Sequence, residues 1–193
     1  RILGEVSGPS PVPLTTYGRQ MALRLLISQN RRQLREFDRV AERPGFVHAI
    51  SLSMAELMQE AITIEQLEEA ASRAESEQHP STPRLHDVSL IYRAYLEYLG
   101  SQRVDPEGVL DLARARMGQA PWLTETRIWI DGFAGFTRQQ TRMITALAQQ
   151  AAQVDIALLL DPAVADQTLD ELSLFARTER TWADLATTFW EEG

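Results

Sequence analysis

The segment from Arg127 to Leu160 constrains this chain more than any other. Ile128, Trp129 and Ile130 form a β-prone apolar run ending at Asp131 and Gly132, which reads as a strand over 127–131 giving way to a turn. Thr137 and Gln140 have the spacing of a capping box, in which each side chain accepts from the other residue's backbone N–H. They open a helix over 138–152, with Met143, Ile144, Leu147 and Ala151 inward. A second apolar run, Val154 to Leu160, reads as a strand ending at Asp161 and Pro162. Strand, helix and strand with short connections make a βαβ unit, whose strands run parallel with a right-handed crossover. Parallel sheets are normally covered on both faces and built of more strands. We therefore expect the run 156–160 to be a central strand whose missing neighbours belong to a longer protein. In isolation, the open edge is expected to offer a route to self-association.

The residues before this unit read as helical. Residues 4–13, rich in Gly and Pro, read as a loop. Helices are expected over about 15–28 with Met21, Leu25 and Leu26 inward, 31–43 with Leu34, Phe37 and Val40 inward, 45–61, and 63–74, the last opened by a Thr63–Gln66 capping box. The polar, Pro-containing stretch 75–83 reads as a linker. A long amphipathic helix through Leu85, Tyr92, Tyr95 and Leu99 follows. Asp105-Pro106-Glu107 then starts another helix, with Asp as N-cap and Gly118 as its stop. After the βαβ unit come a loop over 163–170 and a last helix from about Glu179. The fold class is thus predominantly α with a small parallel α/β part. Its domains are a loop or truncated end over 1–13, a helical subdomain over 14–118 and an α/β part over 121–193. The opening Arg1 to Val6 reads as the end of a helix, so we expect a fragment of a longer protein.

Composition excludes several chemistries. Cysteine is absent, so these residues hold no disulfide, thiolate metal site or Cys nucleophile, and the compartment is taken as cytoplasmic. All 19 basic residues are Arg, so no P-loop lysine exists within the chain. The formal net charge of −8 rules out bulk electrostatic binding of nucleic acid, and any such contact needs a local basic face. No apolar run is long enough for a membrane span. His48, His79 and His86 lie in different contexts and do not suggest a zinc site. Tyr92, Tyr95, Trp122, Trp129 and Trp182 read as packing residues, and Trp190 as exposed.

Ligands in open α/β sheets bind beside the carboxyl ends of strands, which makes Asp131 the first candidate for a nucleotide or metal site. An acid hydrogen-bonding loop N–H groups is the plainer reading. Asp161 also ends a strand, and the two carboxylates together suggest, as an alternative, an Mg²⁺-dependent phosphohydrolase. A helical protein-interaction module is a further alternative.

Ile128-Trp-Ile-Asp-Gly-Phe-x-x-Phe-Thr-x-Gln-Gln140 resembles a segment of the B subunit of the bacterial AddAB (RexAB) helicase–nuclease. Leu85-His-Asp-x-x-x-Ile-Tyr-x-x-Tyr95, Arg43-Pro-Gly-Phe46 and Leu174-Phe-Ala-Arg-Thr178 with Thr181 fit the same family, and the resemblance covers nearly the whole chain. It implies a superfamily 1 helicase fold. Residues 14–118 would be a helical subdomain (1B-like) inserted into a RecA-like, P-loop NTPase core, and 121–193 the return into that core (1A-like). Asp131 would be a vestigial Walker B acid, because active members have Glu where this chain has Gly132. Phosphoryl transfer needs both positioning and charge neutralisation. The resemblance therefore implies an inactivated module with no catalytic residue, serving as scaffold, gripping DNA and taking part in recognition of the Chi recombination signal. It implies an A-subunit partner, and ATP, Mg²⁺ and an iron–sulfur cluster only for the parent complex. Arg32, Arg35, Arg39 and Arg43, on one face of the expected second helix, are the candidate contacts to DNA phosphates; a solvated, salt-bridged face is the plainer reading. Phe133 and Phe136 are expected to pin the loop after Asp131.

Overall fold

The computed structural model describes residues 11–161 and 172–192. The expected loops at 4–10 and 163–170 lie outside the described residues. The chain forms two compact units, one up to Val109 and one from Leu110. This break falls earlier than the 118/121 boundary read from the sequence, because Val109 to Ala115 is a single helix and gives no composition signal within it.

The first unit is built from four helices: α1 (Thr16–Asn30), α2 (Phe46–Gln59), α3 (Ile64–Ser76) and α4 (Thr82–Leu99). Helix α1 packs against both α2 and α4, and α3 lies along α4. The buried centre comprises Leu23, Leu26 and Ile27 of α1, Ile50 and Met54 of α2, Leu67 of α3, and Ile91, Tyr92 and Tyr95 of α4. Each such side chain contributes roughly 1.5–3 kcal/mol by leaving water. The inward face of α1 is rotated from the expected one: Leu26 is buried, but Met21 is 74% and Leu25 53% exposed. Arg19, Ala22, Leu23 and Leu26 form the buried stripe instead. The polar head of Arg19 concealed that register in the sequence.

The expected helix over 31–43 does not form. Two 3₁₀ turns, Arg31–Gln33 and Phe37–Arg39, flank an extended Leu34. The buried Asp87 carboxylate explains this. It accepts from the backbone N–H groups of Arg35, Glu36 and Phe37, each at 2.8 Å, so those donors are not available to helical carbonyls. Leu34 and Phe37 still reach the core, as their spacing suggested.

The stretch 75–83 is a tight turn rather than a linker. Helix α3 continues to Ser76, Gln78 takes a left-handed φ of 53°, and the His79 N–H donates to the Ala74 carbonyl at 2.8 Å. A two-residue parallel pairing, β1 (Val12–Pro13) with β2 (Arg103–Val104), was also not foreseen. It tolerates Pro13 because the ladder donors are Val12 N–H, to Gln102, and Leu14 N–H, to Val104; the missing proline donor falls between them. Both capping boxes form as read, at Thr63–Gln66 and Thr137–Gln140.

The second unit begins within α5 (Val109–Ala115) and continues through short 3₁₀ turns at Met117–Gln119 and Pro121–Glu125, and then β3 (Arg127–Ile130), α6 (Arg138–Gln150), β4 (Gln153–Ile156) and α7 (Ala176–Glu192). The helix expected over 105–118 is thus interrupted, and the last helix starts earlier than Glu179. Strands β3 and β4 are parallel, pairing Ile128 with Val154 and Ile130 with Ile156. The unit is therefore βαβ as read, but β4 stops early. Its partner strand turns away at Asp131, so after Ala157 N–H donates to Ile130 no ladder remains for residues 158–160. The buried central strand expected at 156–160 is not observed: Leu159 is 73% exposed. Trp129, read as a packing residue, is 69% exposed, on the opposite sheet face from Ile128 and Ile130. Met117, Ala120 and Leu123 form the small buried cluster of this unit, with Met143 and Leu147 of α6 against it. The chain is mostly helical with small parallel sheets.

Candidate functional site

Asp131 stands exposed immediately after β3. Gly132 follows at φ +81°, a left-handed conformation in which any side chain is strained by about 1–2 kcal/mol. The Asp131 carboxylate accepts from the Gly132 N–H at 2.7 Å, which is the loop-holding role that needs no ligand. The register sets Ala157, the donor to Ile130, beside this strand end. Asp161 lies beyond Ile156, the last paired residue, so the two acids do not end adjacent strands as the phosphohydrolase alternative required. Among the described residues, no group of three or more His, Cys, Asp or Glu side chains could hold a metal ion.

The loop after Gly132 is held by α7. The Thr181 hydroxyl donates to the Ala134 carbonyl at 3.1 Å. A Cβ on Gly135 would lie 3.3 Å from the same hydroxyl oxygen, so the loop backbone lies close against the helix. Thr178, one turn earlier, donates to the Leu159 carbonyl. Two threonines of one helix thus hold the chain beyond the carboxyl ends of both strands. Phe133 and Phe136 pack with ring centroids 5.3 Å apart and planes tilted by 33°, and Phe133 remains about half exposed. Gln139, buried in the first turn of α6, donates to Asp111 of α5 at 2.9 Å.

A nucleotide with Mg²⁺ does not fit these residues. The position after Asp131 is shaped for glycine, and no lysine exists in the chain to reach a phosphate. An iron–sulfur cluster has no thiolate available here.

The candidate arginines do not share a helix face, because the helix is absent. Arg35 pairs with Glu75 at 3.0 Å and so belongs to a structural ion pair. Arg32, Arg39 and Arg43 are exposed and make no ion pair among the described residues. Arg31 is held by Asp38, at 2.8 Å, and by Glu42. The segment that carries them is fixed from below by Asp87. Burial pushes this carboxyl up, but the three backbone N–H groups and His86 outweigh burial and hold it below the ordinary carboxylate value. The three histidines are separate: His48 faces Gln20, His79 accepts from the Ser81 N–H, and His86 abuts Asp87.

A second polar centre was not read from the sequence. Arg19 is buried and donates to Ser51 at 3.0 Å and to Asp105 at 3.0 Å. Asp105 is the N-cap that the sequence suggested, accepting from the Glu107 N–H at 2.8 Å, and it also accepts from the buried Tyr95 hydroxyl. Burial and the Asp105 hydrogen bond push the Tyr95 phenol well above its ordinary value. One carboxylate therefore joins α1, α4 and the β2–α5 connection. The available signal was Arg19 at the head of the Ala22–Leu23–Leu26 stripe.

Comparison with known proteins places the chain. The family described as "ADDB, N-terminal" matches residues 1–193. The chain is 33% identical over 195 residues to the B subunit of the ATP-dependent helicase/deoxyribonuclease of Heliobacterium modesticaldum, covering 100% of the chain and 16% of that protein. It is 34% identical over 188 residues to the protein of the same name from Desulforudis audaxviator, with 96% and 16% covered. The Moorella thermoacetica protein of that name is 34% identical over 185 residues, with 94% and 16% covered. The chain thus spans about 16% of the length of these curated relatives. Across its whole length, this chain belongs to the AddB N-terminal family.

Proposed function

We propose that this chain is a helicase-like module that engages DNA without hydrolysing ATP. It would do so within the B subunit of an ATP-dependent helicase–deoxyribonuclease that acts with an A subunit in double-strand-break repair and recombination. By this reading, residues 14–118 are the helical insertion, 121–193 are part of a RecA-like core, and the module contributes to recognition of the Chi signal. The names of the relatives support the setting. The observation that carries the loss of hydrolysis is Gly132: its left-handed backbone disfavours the glutamate that would orient an attacking water. Asp131 then serves the turn. DNA engagement is supported by Arg32, Arg39 and Arg43, exposed cations without ion pairs among the described residues, on a chain of net charge −8.

Calorimetric titration of the chain with Mg²⁺ and a non-hydrolysable ATP analogue tests the first half. We expect no saturable heat. Mg²⁺-dependent binding that disappears in Asp131→Ala would contradict the reading.

A further inference from the structure

Asp131-Gly132 is the one place in the chain where an aspartate or asparagine precedes a glycine. Every other such residue is followed by one whose side chain crowds its own backbone nitrogen. The fold leaves the Gly132 nitrogen open. Gly132 takes φ +81°, both residues are exposed, and a Cβ on Gly132 would meet nothing within 4 Å. Among the described residues no carbonyl accepts from the Gly132 N–H; its acceptor is the Asp131 carboxylate, at 2.7 Å. That oxygen is bonded to Cγ, so the nitrogen and Cγ stand near the ~3–3.5 Å separation of a near-attack pair. Other aspartates are committed elsewhere: Asp87 holds three backbone N–H groups, and Asp105 is buried against Arg19.

We propose that Asp131 is a site of spontaneous covalent modification: the chain closes a succinimide onto Gly132 and reopens as isoaspartate, which frees the loop from α7. The reaction needs neither DNA nor nucleotide, so it stands apart from the reading above.

The chemistry balances with water alone. The Gly132 nitrogen bonds to Cγ of the Asp131 carboxylic acid, and the carboxyl hydroxyl leaves with the amide proton as water. A second water then opens the ring. Attack at Cγ restores aspartate. Attack at the main-chain carbonyl breaks its bond to the Gly132 nitrogen, and the chain thereafter runs through Cγ. The product has one more carbon in the main chain and its free carboxylate on Cα. The loop has little room for that extra length. Ala134 accepts from Thr181 at 3.1 Å, and a Cβ on Gly135 would lie 3.3 Å from the same hydroxyl oxygen. Lengthening the backbone two residues before Ala134 therefore displaces the carbonyl that α7 holds.

The test ages the full-length subunit, assembled with its partner subunit, for weeks at physiological temperature in water enriched in oxygen-18. Digestion in ordinary water and fragmentation mass spectrometry then locate heavy oxygen and isoaspartate. We expect both at Asp131, above the level at every other aspartate of residues 1–193. Asp131→Glu should lose the label, because its longer side chain would have to close a six-membered ring. Asp131→Asn should gain it faster than the wild type, with ammonia leaving in place of water. The amides of residues 133–136 should show a fast-exchanging fraction that matches the isomerised fraction. Both variants alter only an exposed side chain, so they retain the fold. Label spread evenly over the aspartates overturns the site. So does label at Asp131 that appears in the urea-unfolded subunit and not in the folded one, since the fold would then protect this turn. Isomerised and unmodified loops that exchange alike overturn the release from α7.

Discussion

Replacing Arg19 by alanine lowers the stability of the chain by about 3–5 kcal/mol, the cost of stranding a buried charge. Asp105 is fully buried and would keep only the Tyr95 hydroxyl and the Glu107 N–H as donors. Domain stabilities are about 5–15 kcal/mol, so the loss is a large share of the total. Urea denaturation followed by far-ultraviolet circular dichroism measures it. Arg19→Met with Asp105→Asn removes both charges and should recover part of the loss, since an unpaired buried charge costs more than a missing pair. A single variant within about 1 kcal/mol of the wild type would show that the network is ornamental. Tyr95 adds a pH dependence at the alkaline end. Its phenol is raised in the folded state, so its contribution is complete below the ordinary value of 10.0 and declines as pH climbs towards the folded value.

Asp87→Ala should cost about 3 kcal/mol, because three backbone N–H groups lose a charged acceptor and that of Phe37 is buried. The damage is directional. Amide exchange at Arg35, Glu36 and Phe37 should accelerate, whereas exchange in α1 and α2 should rise only as far as global stability falls. Its pH signature is at the acid end. The carboxyl is lowered in the folded state, so its contribution is present above the ordinary value of 3.8 and lost as pH falls through the folded value. Wild-type stability should therefore fall more steeply in acid than that of the variant. Equal slopes, with unchanged exchange at residues 35–37, would mean that Asp87 does not hold this segment.

The same carboxylate explains where the sequence misled. Residues 31–43 have helical spacing, and Leu34 and Phe37 are buried as that spacing requires. Yet the backbone is not helical, because a side chain fifty residues away in the chain takes the N–H groups. Periodicity reports which side chains face inward; it carries no information about a distant acceptor. The register of α1 was lost for a related reason. Arg19 occupies a core position through partners at Ser51 and Asp105, so an apolar count shifts the face towards Met21 and Leu25. Local signals did better. Both capping boxes and the Asp105 cap are contained within short windows and form as read, and β3 and β4 pair in parallel as the βαβ pattern requires, though β4 is shorter.

At the candidate site, the sequence revealed the lone acid and its glycine neighbour. The left-handed Gly132, and α7 gripping the loop through Thr181, needed the fold. The arginine set was legible as residue type but not as surface: Arg35 went to Glu75, while Arg32, Arg39 and Arg43 stayed exposed. What links these features is a division of labour. The strand-end loop is tied to its own helix by hydroxyl contacts, and the unpaired cations of the first unit are mounted on a segment clamped from the core.

DNA engagement by that cationic segment is the central claim, and salt dependence tests it most directly. Duplex DNA binding by the full-length subunit with its partner should be measured against salt for the wild type and for Arg32→Glu/Arg39→Glu. Each lost phosphate contact removes about 0.9 from the slope of log affinity against log salt. Weaker binding, with a slope shallower by roughly 1.8, is the expected result. Unchanged affinity with an unchanged slope would contradict it.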